Sequence, residues 1–200
     1  MTELARVLQL NNGGVYLFPP LIYKFSYDFK KETLLPKIDH LFSLVERNSE
    51  LEKGDAVSTV SVDQRLQPHT WMELEHFQMW LGGKIAEIRR EHEFVMGHSE
   101  VTQSWCNKHG RGGVTLEHSH TFGTFVASCY LYAPPNSGNI EFKDPLEYHK
   151  SSFPIIPEIS LYKEVNVTTN DVLIFPGWIK HRVQPNNTDE KRLVMTFNIK

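Results

Sequence analysis

Asn170-Asp171-Val172-Leu173-Ile174-Phe175-Pro176-Gly177-Trp178-Ile179-Lys180-His181-Arg182-Val183 reads as a turn, an apolar strand, a Pro-Gly corner and a second short strand that opens on a histidine. A short apolar run bounded by turn residues is the pattern of a buried strand. Its earlier partner is His118-Ser119-His120. Side chains along a strand repeat with period two, so His118 and His120 share a face. With His181 they make three imidazoles on two strands. Such a set can grip one side of a metal ion and leave the other side open.

Outward from these stretches, the second half of the chain is a series of short strands separated by turns. The predicted strands are Val101 to Cys106, Gly113 to His120, Phe125 to Ala133, Asn139 to Phe142, Glu164 to Val167, Asp171 to Phe175, Lys180 to Val183 and Leu193 to Ile199. About eight short strands is the count of a jelly roll. In the first half, Leu34, Leu35, Ile38, Leu41, Phe42 and Val45 recur at helical spacing, predicting a helix from Lys31 to Arg47. Leu74, Phe77, Leu81, Ile85 and Ile88 predict a second from Trp71 to Glu91, with Thr70 as N-cap and Gly82-Gly83 weakening its middle. Val15 to Phe25 reads as two short strands broken by Pro19-Pro20, Asn48 to Gly54 as a loop, and Val57 to Leu66 as a strand. The expected fold is mainly β with N-terminal helices (α+β): a double-stranded β-helix, jelly-roll and cupin-like, backed by two amphipathic helices. It is expected to be one domain over 1–200, with 1–100 supplying strands and supporting helices and 101–200 the β core.

The chain has 200 residues and a net charge of −3, which advertises no phosphate-binding surface and gives no strong nucleic-acid signal. Cys106 and Cys129 are too few for a disulfide framework. The opening Met1-Thr2-Glu3-Leu4-Ala5-Arg6 lacks the apolar core of a signal peptide, and no apolar run approaches membrane-spanning length. The expectation is a cytoplasmic setting without a membrane partner. Histidine is the unusual count, ten in all.

Neutral imidazole suits iron, zinc, copper or nickel, and a facial set of three protein ligands with open positions is the arrangement of non-haem Fe(II) oxygenases. A 2-oxo acid can chelate through two open positions and leave a third for dioxygen. The far carboxylate of such an acid needs a cation at a fixed distance. Arg192 opens the last strand, Arg192-Leu193-Val194-Met195-Thr196-Phe197-Asn198. By alternation Arg192, Val194, Thr196 and Asn198 face the barrel interior, while Leu193, Met195 and Phe197 face the helices. A guanidinium in a dry pocket binds a carboxylate through two parallel hydrogen bonds.

This layout resembles the Fe(II)/2-oxoglutarate-dependent oxygenases, in particular a bacterial and phage branch related to the prolyl hydroxylases. The residues that carry the resemblance are Leu17-Phe18-Pro19, Ser104-Trp105-Cys106-Asn107, His118-Ser119-His120, Ser128-Cys129-Tyr130-Leu131-Tyr132, Gly138 to Pro145, Phe175-Pro176-Gly177-Trp178 through His181, and Thr196-Phe197-Asn198. The match is specific in the second half and loose from Leu21 to Glu100. It implies Fe(II) held by His118, His120 and His181, and 2-oxoglutarate as cosubstrate with its far carboxylate on Arg192. Oxidative decarboxylation to succinate would be coupled to C–H hydroxylation of an unknown substrate, such as a prolyl or other amino-acid side chain. By the same resemblance Tyr130 lends a hydroxyl to the oxo-acid pocket, Asn107 touches the oxo acid or the substrate, and Asn198 stands on the same wall. One departure is plain: the family's first pair is His-x-Asp or His-x-Glu, and here it is His-x-His. Either His120 is a true ligand or an acid such as Glu141 or Asp144 completes the set. Glu117 alternates to the opposite face.

Two rival readings stand beside this one. A cupin-type metal-dependent dioxygenase or isomerase would use no oxo acid and have no need of Arg192. Its signatures are broken here, with Thr124 and Phe125 where a glutamate is expected and Pro176 adjacent to Gly177. A non-catalytic jelly-roll binding module would hold no metal. His40, His69, His76, His92, His98, His109 and His149 have no paired spacing and are expected in solvent. The loops His109 to Gly113 and Leu146 to Ile159 are expected to frame the mouth, the second as a lid. Expected partners are 2-oxoglutarate, dioxygen and the substrate; the oligomeric state is left open, a homodimer included.

Overall fold

In a computed structural model of the chain, residues 22–92, 99–121, 123–145 and 161–200 are described. The elements run β1 (Tyr23–Ser26), α1 (Lys31–Ser43), β2 (Glu52–Lys53), β3 (Ala56–Ser58), α2 (Glu75–Glu91), β4 (Val101–His109), β5 (Val114–His118), β6 (Phe125–Tyr132), β7 (Ile140–Lys143), β8 (Tyr162–Val165), β9 (Asp171–Pro176), β10 (His181–Val183) and β11 (Arg192–Ile199). Two antiparallel sheets result. The larger has the order β1-β9-β6-β11-β4-β3 and the smaller β2-β5-β10-β7-β8. From β4 onward the chain winds between the two, with β4, β6, β9 and β11 in the larger and β5, β7, β8 and β10 in the smaller. This winding is the expected double-stranded β-helix.

The strands of the larger sheet are apolar on both faces because both are covered. Ala127, Cys129 and Leu131 of β6, Val172 and Ile174 of β9, and Leu193, Met195 and Phe197 of β11 pack against Leu34, Ile38 and Leu41 of α1 and Phe77, Leu81, Ile85 and Ile88 of α2. The alternate residues Val126, Tyr130, Leu173, Phe175 and Val194 turn inward and pack with Ile140, Phe142, Val167 and Ile179. Period-two alternation thus delivers one face to the helices and the other to the space between the sheets.

Several local expectations are corrected. Thr70 does not cap a helix: its hydroxyl donates to the Arg65 and Gln67 carbonyls, two 3₁₀ turns cover Pro68–Thr70 and Met72–Leu74, and α2 begins only at Glu75. The strand expected over Val57 to Leu66 is three residues long, Ala56–Ser58, and ends in a turn and a 3₁₀ segment at Gln64–Leu66. The loop Asn48 to Gly54 contains β2, which completes the smaller sheet by pairing Glu52 with Thr115. Strand β4 runs three residues further than expected, to His109. Gly82-Gly83 sits within an unbroken α2. The Leu17-Phe18-Pro19 segment and the proposed lid over Leu146 to Ile159 lie outside the described residues. No helix among the described residues is long and apolar enough to cross a membrane.

Candidate metal and oxo-acid site

Four cross-strand rows on the inner face of the larger sheet build one wall of the site. In antiparallel pairing, opposed residues share a face. Arg192 of β11 lies opposite His109 of β4. Val194 lies between Asn107 and Tyr130, Thr196 between Trp105 and Ser128, and Asn198 between Gln103 and Val126. The smaller sheet supplies the facing wall, and there the ladder pairs His181 of β10 directly with His118 of β5. Strand β5 ends at His118, so His120 lies just beyond it, held by a backbone hydrogen bond from its N–H to the Gly177 carbonyl (2.8 Å). A Cβ at Gly177 would come within 2.1 Å of the Gly123 carbonyl oxygen, so only glycine permits this approach of the Pro-Gly corner.

The three imidazoles converge. Their nearest ligand atoms all lie within 4.8 Å of one another, and among the described residues this group contains no carboxylate. Ring centroids are 4.3 Å apart for His118–His181, 5.1 Å for His118–His120 and 5.2 Å for His120–His181. Neither acid weighed as a substitute, Glu141 or Asp144, belongs to the group, and Glu141, like the outward-alternating Glu117, is engaged elsewhere. Glu141 accepts from Arg182 and Gln184, and Glu117 accepts from Tyr162 and lies 3.7 Å from both Lys143 and Lys180.

Each imidazole is oriented through Nδ1, by the Leu116 carbonyl for His118 (2.8 Å), Asn198 Oδ1 for His120 (2.8 Å) and the Ile179 carbonyl for His181 (3.0 Å). An oxygen acceptor at Nδ1 keeps the proton there and leaves Nε2 with a free lone pair, the form a metal takes. Burial, with the neighbouring His118, pushes His120 down to about 4 and His181 to about 3; burial lowers His118 as well. Neutral rings with bare Nε2 atoms fit a divalent transition ion. Trp105 stacks on His120 with ring centroids 5.6 Å apart, and Phe142 and Phe175 pack on His181, which keeps these rings in place.

One cavity joins the triad to Arg192 and passes Tyr130, Asn107 and Thr196. Arg192 is 1% exposed. Its Nη1 donates to the Ser137 (2.8 Å) and Gly138 (2.6 Å) carbonyls, while Nε and Nη2, both buried, find no partner among the described residues. Burial lowers its pKa to about 10, an effect that Tyr130 and Glu52 oppose. A second cavity shares Trp105, Asn107, Thr115, His118 and His120 with the first and is lined in addition by Ser49, Glu52, Ser58, Gln103 and Thr121.

The remaining expected residues divide. Tyr130 lines the Arg192 cavity, with its phenol pKa raised by burial. Asn107 lines both cavities and, with its amide turned to satisfy its neighbours, donates to Ser58 Oγ (2.7 Å) and accepts from Trp105 Nε1 (3.3 Å). Asn198 is spent on His120 and faces the second cavity. His109, expected in solvent, is 1% exposed and lines the Arg192 cavity with Thr115, against which Glu52 is bonded. The 110–113 turn, expected at the mouth, is stitched to Asp55 and Asn186 by backbone hydrogen bonds. His69 is half-buried against Ser104, and His92 contacts Tyr23. His98 and His149 lie outside the described residues.

Comparison with known proteins bears on the fold and on the second half of the chain. Residues 103–198 match the family described as "Putative 2OG-Fe(II) oxygenase". Comparison with curated proteins finds no match. Among solved structures, the non-heme alpha ketoglutarate dependent carbocyclase SnoK from nogalamycin biosynthesis is similar at 13% identity and TM-score 0.60, over 90% of this chain and 79% of that one. HygX from Streptomyces hygroscopicus, with nickel and 2-oxoglutarate bound, is similar at 14% identity and TM-score 0.57, over 90% and 82%. A Pseudomonas putida prolyl-4-hydroxylase is similar at 13% identity and TM-score 0.54, over 88% and 91%. These likenesses are of fold. The matched stretch, 103–198, holds the three histidines and Arg192, and it is this part of the chain that is similar to the 2OG-Fe(II) oxygenase family.

Proposed function

We propose that this chain is an Fe(II)- and 2-oxoglutarate-dependent dioxygenase that hydroxylates a C–H bond of a second substrate. His118, His120 and His181 are the protein ligands of the metal, and Arg192 anchors the far carboxylate of the oxo acid. The observation that carries this reading is the bare Nε and Nη2 edge of Arg192, buried in the same cavity as the three Nε2 atoms. A buried N–H left without a partner costs about 1–3 kcal/mol, and more when charged, so a guanidinium is kept in this position where a ligand completes it.

When bound, Fe(II) supplies activation of dioxygen coupled to oxidative decarboxylation of the oxo acid to succinate. The chain's own residues prepare the site. The Leu116, Ile179 and Asn198 oxygens hold the imidazole protons at Nδ1. The Ser137 and Gly138 carbonyls hold Nη1, which turns the Nε–Nη2 edge into the cavity, where it can take both oxygens of a carboxylate. Tyr130 offers its hydroxyl to the same ligand, and Phe142 and Phe175 exclude water behind His181. In the second cavity, Asn107, Ser49, Ser58, Gln103 and Thr121, with Glu52 beside them, suit a hydrogen-bonding substrate. A prolyl side chain in a peptide is the first to test, because one fold neighbour is a prolyl-4-hydroxylase.

Titrating 2-oxoglutarate into the Mn(II)-bound protein without oxygen is expected to show one site per chain. Arg192→Met should weaken it about 100-fold or more, the cost of removing one partner of a buried charge pair. Fe(II) and oxygen should then yield succinate. No binding by the wild type, or equal binding by Arg192→Met, overturns the assignment.

A further inference from the structure

His109 and Thr115 line the cavity that holds Arg192, and Glu52, which lines the second cavity, bonds to both; the oxo-acid reading does not use this buried cluster. His109 Nε2 lies 2.8 Å from Thr115 Oγ1 and 3.1 Å from Glu52 Oε2, and Thr115 Oγ1 donates to Glu52 at 3.0 Å. All three residues are buried. A carboxylate accepts only, so the proton of the neutral ring stays on Nε2 and Nδ1 carries a lone pair. Nδ1 is buried and finds no partner among the described residues. Together with Arg192 Nε and Nη2, it makes three unpartnered nitrogens at one end of one cavity, on two residues directly opposed in the sheet.

We propose that His109, seated on Glu52 and Thr115, is a second recognition group for the carboxylate that Arg192 binds, and that it takes up a proton as that carboxylate arrives. The inference rests on the oxo-acid reading of Arg192 above.

Charge balance supports it. In the ligand-free chain burial, reinforced by Arg192 and opposed by the hydrogen bond and charge of Glu52, holds His109 below its ordinary value. An incoming carboxylate adds one negative charge to a dry pocket, where an uncompensated charge is expensive. Nδ1 is the one nitrogen in this group that can gain a proton. The proton passes from solvent to Nδ1, no covalent bond breaks, and the imidazolium donates Nε2–H to Glu52 and Nδ1–H to the ligand. The groups facing His109 are Glu52 from β2, Ala56 from β3, Thr115 from β5, Tyr130 from β6 and Arg192 from β11. The Asp55 carboxylate lies against the adjacent Gly110. Among the described residues Glu52 is the carboxylate bonded to the ring.

The test is calorimetric and needs no turnover. Mn(II)-bound full-length protein is titrated without oxygen at pH 8, in two buffers of different ionisation heat, with 2-oxoglutarate and then with pyruvate, which has the 2-oxo acid but no far carboxylate. Uptake close to one proton is expected with 2-oxoglutarate and none with pyruvate. His109→Asn should weaken 2-oxoglutarate by about 10- to 100-fold, the range of one charge-assisted hydrogen bond, and leave pyruvate unchanged. Glu52→Gln should abolish the proton uptake. Where His109→Asn fails to fold, the wild-type and Glu52→Gln proton counts decide. Binding of 2-oxoglutarate that depends on Arg192 but takes up no proton overturns the role of His109 and leaves the oxo-acid reading standing. Binding indifferent to Arg192→Met, or no binding, overturns both.

Discussion

His120 and His181 face each other with their rings 5° from parallel and their Nε2 atoms 3.4 Å apart. Both Nδ1 positions are occupied by oxygen acceptors, so two lone pairs meet at this distance with no proton between them. A cation relieves that repulsion. Without one, acid works against the fold. An unfolded histidine protonates near 6.5, while burial and His118 hold these two rings at about 4 and about 3. As pH falls below 6.5 the unfolded chain binds protons that the folded chain refuses, so stability that is full above 6.5 drains away toward pH 4 and 3. Metal-free protein should lose on the order of 10 °C in Tm between pH 7 and pH 5. Thermal melts in chelator read this directly, and a flat profile would contradict it.

Asn198 is the positioning residue for His120, since Oδ1 accepts from Nδ1 at 2.8 Å while Nδ2 reaches Gln103 at 3.4 Å. Asn198→Ala frees the ring to rotate and to change tautomer. Loss of such a partner costs about 10- to 100-fold in metal affinity. Mn(II) affinity by electron paramagnetic resonance should fall by that amount, and 2-oxoglutarate affinity at saturating Mn(II) should stay as in wild type. A selective loss of oxo-acid binding would instead place Asn198 on the ligand.

The triad and Arg192 were legible because period-two alternation says which side chains share a face, and in β11 that rule separated Arg192, Val194 and Thr196 from Leu193, Met195 and Phe197 as the structure does. His109 was missed for the same reason in reverse. With the strand ended at Cys106, the glycine-rich turn claimed His109; carried on to His109, the alternation of Trp105, Asn107 and His109 places all three inside. Glu52 could not be read at all. Its strand is two residues long in a polar stretch, and only pairing with Thr115 buries it. Local bonding decided the Thr70 region, where the hydroxyl expected to cap a helix is consumed by the Arg65 and Gln67 carbonyls, five and three residues earlier.

With His118, His120 and His181 as the proposed ligands, three neutral groups would leave the charge of a divalent ion uncompensated by the protein, since this group of described residues contains no carboxylate. The oxo acid, a dianion, would supply that compensation when bound. Mn(II) affinity should therefore rise about 10-fold or more with 2-oxoglutarate present, and by linkage 2-oxoglutarate should bind tighter by the same factor with Mn(II) present. His120→Asp restores a negative ligand and should tighten Mn(II) alone while shrinking this coupling. Equal Mn(II) affinities with and without the oxo acid in the wild type would refute the argument.

Gly138 ties the backbone to the same cation. Its φ is +87°, its carbonyl accepts from Arg192 Nη1 at 2.6 Å, and a Cβ placed there would lie 2.4 Å from the Gln184 oxygen, 2.7 Å from the Pro185 oxygen and 2.9 Å from Nη1 itself. Neither backbone oxygen can yield as a flexible side chain would. Gly138→Ala must move the turn, and the turn carries both carbonyls that aim the guanidinium. The left-handed conformation alone costs a non-glycine residue about 1–3 kcal/mol, so the urea midpoint should drop accordingly. Because the triad is fixed from other strands, Mn(II) binding should hold while 2-oxoglutarate binding weakens about 10-fold, the scale of one misaligned charge-assisted hydrogen bond. Wild-type oxo-acid affinity in a folded Gly138→Ala protein would show that the carbonyls of this turn do not set the aim of Arg192.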